Sequence, residues 1–272
     1  MNKFENISLL PHYAQIFGMG PLTDRLKALT EASPVAVGGV GGSGTRMIAE
    51  ALSAFGMHQP GFVTQAQDNL SFPPLGQILR SPCGRAGPRD AVASHVIRLF
   101  EDIVRADPKD TRSPGSWFFK VPAVFFWLKE FADYFPAFRY IHVLRNGIDM
   151  SCSRNRRQAE TWRYYFGIGG ELIPRRMLDY WIAANRFALE QAEEWLAGRY
   201  YVLRFDDVCL RPSIELERLA GFLEIQVNDE LLAQVASAIR PPTSIGRGKA
   251  LLEQNAFSAE QLDAVRNLGF RC

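Results

Sequence analysis

The sequence predicts an α/β fold of three layers, with a central parallel sheet between two sets of helices. Three observations carry that prediction. Four short apolar runs, at 34–38, 116–121, 138–144 and 199–204, have the length and the β-branched or aromatic content of buried strands. Helical or irregular sequence separates each run from the next, as crossover connections between parallel strands require. The first run passes directly into a glycine-rich turn and then a helical pattern, the strand–loop–helix order of an anion cradle.

The elements follow in order. Residues 45–55 place Met47, Ile48, Ala51, Leu52 and Phe55 at helical spacing after the first strand. An apolar stretch from Phe125 to Tyr134 reads as a helix that stops near Pro136. The third run ends at Arg145, a turn follows at Asn146–Gly147, and a helix is expected from about Asp149. Residues 178–197 form a long helical pattern closed by Gly198. The strand YYVLRF comes next, and Pro212 opens a helix over 212–223. Two regions break this alternation. Residues 59–90 carry Pro60, Pro73, Pro74, Pro82 and Pro88 and read as an irregular excursion, and 240–249, RPPTSIGRGK, is a basic Pro/Gly loop. Long irregular loops in compact folds are often lids or binding surfaces. With no internal repeat or low-complexity tract, 1–272 reads as a single domain.

Composition is that of an ordinary globular protein, with 47% apolar and 22% charged residues. A net charge of +2 is too small to indicate nucleic acid as a partner, so any anion preference must come from local clusters. The amino end lacks a basic region leading into a long apolar core, and no run of about 18 apolar residues exists. A cytoplasmic protein without a membrane span is expected. Cys83, Cys152, Cys209 and Cys272 are scattered without metal-ligand spacing and read as reduced thiols. No metal site is expected.

The chemistry is concentrated in two segments. In GGSGTR, residues 41–46, the glycines let successive N–H groups approach an oxyanion while the following helix adds its positive end. A nucleotide-kinase loop ends G-K-[ST], whose lysine spans the outer phosphates and whose hydroxyl holds magnesium. Here Gly44 is followed by Thr45 and Arg46, so the cradle suits an anion without the parts for metal-assisted phosphoryl transfer. The second segment is FRYIHVLRNGIDMSCSRNRR, 138–157. Strand ends in open α/β sheets are where ligands bind. Arg145 would present a forked donor there, and Ser153, eight residues on and expected on the facing helix, would add a hydroxyl suited to a phosphate.

Taken together these segments resemble the sulfotransferase superfamily, whose members use 3′-phosphoadenosine 5′-phosphosulfate (PAPS) and release 3′,5′-ADP. The resemblance implies a P-loop-like fold. Gly41, Gly42, Ser43, Gly44, Thr45 and Arg46 (loop 34–46) would hold the 5′-phosphosulfate, and Arg145 with Ser153 (138–157), an R-(x)7-S element, would hold the 3′-phosphate. YYVLRFDDVCLRP, with Arg204, is similar to the family's strand-plus-acidic segment. SIGRGK, with Arg247, Gly248 and Lys249, is similar to its late basic loop, here 240–249. The matched blocks run from 34 to 249. One departure matters: many cytosolic members carry a lysine where this chain has Gly42. Other relatives place a lysine in a K-x-P segment at the end of the second strand, here Lys120 before Pro122, which would then stabilise the sulfonate or bridging oxygen.

The implied reaction is in-line transfer of a sulfuryl group to a hydroxyl or amine. The family's base is a His or a carboxylate. Asp68 is the first choice here, with His58 and His95 as rivals, whereas His142 reads as a packing residue. Phe125, Phe126 and Trp127 read as core. Trp162, Tyr164, Tyr165 and Phe166 could wall a pocket for a small-molecule or glycan acceptor, and Arg154, Arg156, Arg157 and Arg163 beside them suit an acidic acceptor or a solvated face. Two alternatives stand beside this reading: a P-loop kinase using Mg-ATP, and an inactive 3′,5′-ADP-binding module.

Overall fold

The computed structural model describes residues 34–59, 63–69 and 117–272. Four strands, β1 (Val35–Gly39), β2 (Phe118–Lys120), β3 (Arg139–Leu144) and β4 (Tyr200–Arg204), form one parallel sheet in the order β2-β1-β3-β4. The chain leaves β1 towards β2 and leaves β3 towards β4, so the connections diverge between the two central strands. Crevices at such switch points are the ligand sites of open α/β sheets. Val37 pairs with Lys120 and Gly39 with Val143, which brings the carboxyl ends of β2, β1 and β3 side by side.

Strand alternation sorts the core into two layers. Ala36, Phe119, Tyr140 and Leu144 face one way, onto the 3₁₀ segment Pro122–Trp127 and two helices. The first of these helices is α2 (Leu128–Tyr134), and the second is the long α5 (Pro174–Leu196). Val35, Val37, Phe118, Ile141, Val143 and Leu203 face the other way, onto α1 (Thr45–Ala54), α6 (Phe205–Leu210) and α7 (Pro212–Leu223). Between β3 and α5 lie two short helices, α3 (Gly147–Ser151) and α4 (Arg157–Trp162). The chain finishes with α8 (Asp229–Ala238), α9 (Lys249–Glu253) and α10 (Ala259–Asn267).

The four expected strands and the helices at 45–55 and 212–223 match these elements to within two residues at their ends. The expected 125–134 helix is instead a 3₁₀ segment followed by α2, because Ala123 and Trp127 leave helical φ/ψ after the Val121–Pro122 step. Helix α5 begins four residues before the expected 178, with Pro174 in its first turn where no N–H is needed. The 240–249 loop has no strand or helix before Lys249. Most of the 59–90 excursion, His95 and Cys83 lie outside the described residues.

Candidate active site

The first half of the site is the turn between β1 and α1. Gly44 sits at φ +103°, and a Cβ there would lie 2.1 Å from a ring carbon of Phe205, so glycine is required on both counts. Helix α1 has neither a side-chain cap nor an acidic residue in its first turn, which leaves its positive end open. The N–H groups of Gly42, Gly44, Thr45 and Arg46 make no hydrogen bond among the described residues. The Ser43 amide donates to Val40 O at 2.9 Å, while the Ser43 hydroxyl, 1% exposed, has no partner among them. Gly42 is at φ +94°, so a lysine there would be strained whatever space it had.

The second half stands at the end of β3. Arg145 is buried, with its guanidinium 4.7 Å from the centre of the Phe205 ring. Its Nη1 donates to Gly42 O at 3.3 Å and its Nη2 to Ser244 Oγ at 2.8 Å. Its Nε is buried with no partner among the described residues. Burial, and then the charge of nearby Arg247, push this guanidinium below its ordinary pKa. Asn146 caps α3 by accepting from Ile148 N–H, and its own N–H donates to Asp206 Oδ2 at 3.0 Å. Ser153 lies two residues beyond α3 rather than on a helix. Two backbone bonds, Cys152 N–H to Asp149 O and Ser153 N–H to Met150 O, tighten the helix end and turn Ser153 inward. Ser153 is buried, and a methyl built on Gly42 would lie 3.8 Å from its Oγ. Arg145 and Ser153 thus both reach the glycine turn.

The late basic loop closes over this strand end. Asp149 accepts from Gly246 N–H at 2.7 Å through Oδ2 and from Gly248 N–H at 2.9 Å through Oδ1. Its backbone carbonyl accepts from Arg247 Nε at 2.6 Å. Beside it, a cleft of about 730 Å³ opens between α1, α8 and the 240–242 stretch, with Gly44, Met47, Arg145, Phe205, Val235 and Pro242 among its walls.

Lys120 flanks the cradle on the β2 side. Its ammonium is buried, 2.6 Å from Asp68 Oδ1, and donates to Ala66 O at 2.6 Å. Burial pushes its pKa down, and the Asp68 carboxylate opposes that shift. Thr64 shapes the turn that presents Asp68, its hydroxyl accepting from the N–H groups of Ala66 and Asp68. Asn69 fixes the register by exchanging hydrogen bonds with the Lys120 backbone.

Three expected site residues stand elsewhere. His58 pairs with Trp117 at the amino end of β2, about 10 Å along the strand from Lys120. Arg204 alternates onto the α5 face of the sheet and packs over the Phe270 ring at 5.9 Å, away from the cradle. Lys249 opens α9 and points into solvent, its side chain 81% exposed and 4.0 Å from Glu253.

Trp162 is buried against Phe126, with ring centres 4.7 Å apart, whereas Tyr164 and Tyr165 are more than half exposed. His142 is a packing residue, as expected. It lies fully buried between Tyr140 and Asn185, and burial pushes its imidazole down to about 4. The sequence reading missed Gln158, Asp149, Asp206 and Ser244 as site residues. Their partners are backbone groups or side chains distant in the chain. The 41–46 turn and Gln158 are 117 residues apart at their contact, where Gly41 N–H donates to Gln158 Oε1.

A family model described as "Sulfotransferase family" matches residues 34–229. The fold is similar to that of sulfotransferase STF1 from Mycobacterium tuberculosis, at 14% identity and a TM-score of 0.55, covering 86% of this chain and 80% of that one. It is also similar to STF9 from Mycobacterium avium, at 13% identity and a TM-score of 0.52, covering 84% and 71%. No curated protein matches by sequence.

Proposed function

Because the chain belongs to the sulfotransferase family, we propose that it transfers a sulfuryl group from PAPS to a hydroxyl or amine of a small-molecule or glycan acceptor, and does so in the cytoplasm. One observation carries the donor assignment: two groups of polar donors, from different segments of the chain, meet at the glycine turn and the end of β3. The open amides of the glycine turn form the first, and Arg145, Ser153 and Arg247 form the second. The residues fit such a ligand, since a buried hydroxyl (Ser43 Oγ) and a buried guanidinium nitrogen (Arg145 Nε) both lack partners among the described residues. The adjacent cleft is of a size suited to a nucleoside.

When bound, PAPS supplies an electrophilic sulfur and 3′,5′-ADP as leaving group. The amides of Gly42, Gly44, Thr45 and Arg46 and the Ser43 hydroxyl would stabilise charge on the 5′ side, where pre-aimed donors act without reorganisation. Arg145, Ser153 and Arg247 would hold the 3′-phosphate. Asp68 would accept the acceptor's proton, which discharges the carboxylate facing Lys120 and leaves the ammonium's charge available to the sulfonate oxygens. Calorimetry tests this reading. Metal-independent binding of 3′,5′-ADP, tighter than that of ATP with magnesium, is expected, and preference for Mg-ATP would return the chain to kinase chemistry. Transfer of labelled sulfate from PAPS to pooled acceptors separates an enzyme from an inactive binding module.

A further inference from the structure

We propose that Gln158 is a positioning residue for the donor loop, an inference that rests on the PAPS reading above. Gln158 lies in α4, far from the cradle in sequence. Its Oε1 accepts from Gly41 N–H, and its Nε2 donates to Gly39 O at 3.2 Å. One carboxamide therefore satisfies a donor and an acceptor on the same turn. The consequence is electrostatic as well as geometric. A free Gly39 carbonyl beside an anion site would repel the ligand, and without Gln158 the Val40–Gly41 peptide keeps, among the described residues, only the Ser43 N–H bond to Val40 O to fix its orientation ahead of the Gly42 amide. With both ends tied, the turn that carries the open amides of Gly42, Gly44, Thr45 and Arg46 is held in place. The same helix reaches Trp162 one turn later, packed against Phe126 and Trp127. Gln158 thus anchors the donor turn to the aromatic layer of the core.

The test compares wild type with Gln158→Ala and Gln158→Glu in calorimetric titrations of 3′-AMP, 5′-AMP and 3′,5′-ADP. Gln158→Ala removes both bonds and is expected to weaken 5′-AMP and 3′,5′-ADP about tenfold while leaving 3′-AMP unchanged. Gln158→Glu is nearly isosteric and keeps an acceptor for Gly41 N–H, but it cannot donate to Gly39 O and adds a negative charge. It is expected to cost the 5′-phosphorylated ligands about tenfold more than Gln158→Ala. Thermal denaturation of each variant shows whether it is folded. Equal losses for 3′-AMP and 5′-AMP, or undiminished binding of 5′-AMP by folded Gln158→Glu, would overturn the assignment of Gln158. Failure of the parent reading looks different: wild type itself would bind 3′,5′-ADP no more tightly than either monophosphate.

Discussion

Replacing Asp149 by asparagine separates the late loop from the strand end with almost no change of shape. The carboxylate receives two amide N–H groups, Gly246 at 2.7 Å and Gly248 at 2.9 Å, one on each oxygen. In Asp149→Asn one oxygen becomes an NH₂ group facing an N–H donor, and the surviving bond loses its charge. Hydrogen bonds to charged groups contribute about 1.5–3 kcal/mol, so losing one and weakening the other should cost roughly 3 kcal/mol. That is a large share of a typical folding free energy of about 5–15 kcal/mol. If the loop opens locally at lower cost, the global loss is smaller and cleavage by protease within 240–249 appears instead. In either case Ser244 and Arg247 no longer stay beside Arg145, and 3′-AMP affinity should fall at least about tenfold while 5′-AMP affinity changes little. Urea unfolding, limited proteolysis and calorimetry measure the three effects. Wild-type stability, protease resistance and 3′-AMP affinity together would refute the role given to Asp149.

Three further outcomes are expected. Arg145→Ala should weaken 3′,5′-ADP by about one to two orders of magnitude and 5′-AMP barely at all, and equal losses would remove the 3′-phosphate assignment. Lys120→Ala should lower turnover about 10²–10³-fold with little change in nucleotide affinity, and undiminished turnover would return the lysine to a structural role. His142, lowered from 6.5 to about 4 by burial, binds its proton more readily in the unfolded chain, so its contribution is present above pH 6.5 and is lost as pH falls towards 4. Between pH 7 and pH 4.5, His142→Gln should therefore lose about 2–3 kcal/mol less than wild type, as read from urea unfolding, and equal losses would contradict the buried neutral imidazole.

Much of the frame was legible because local chemistry wrote it. The apolar runs mark all four strands, and the strand–glycine–helix order places the cradle. Arg145 was readable because a charged residue closing an apolar strand must emerge at a sheet end. Arg204 follows the same rule and yet faces away, because its position alternates onto the α5 side of the sheet. A one-residue parity decides between the two, and sequence alone did not show which parity faces the cradle. Gln158 and Asp149 were invisible for another reason. Each acts through backbone groups of a distant turn, and backbone partners leave no pattern in residue identity.

The distribution of paired and unpaired charge bears on what the crevice holds. Lys120 is matched by Asp68 at 2.6 Å, so the β2 side is neutral at rest. On the β3 side, Asp149 commits both oxygens to the loop amides and Asp206 accepts from Asn146 N–H. The carboxylates there organise backbone, and Arg247 lies close enough to disfavour the charge on Arg145. Leaving a buried charged donor such as Arg145 Nε unpaired costs about 1–3 kcal/mol or more, and a buried hydroxyl costs less. The Ser43 hydroxyl belongs to the glycine turn and Arg145 Nε to the end of β3, and on the reading proposed above one ligand with two phosphates would offset both costs. A ligand with one phosphate would relieve one cost and leave the other standing. On that reading a nucleoside phosphorylated at both ends should bind here more tightly than a triphosphate with its charge gathered at a single end.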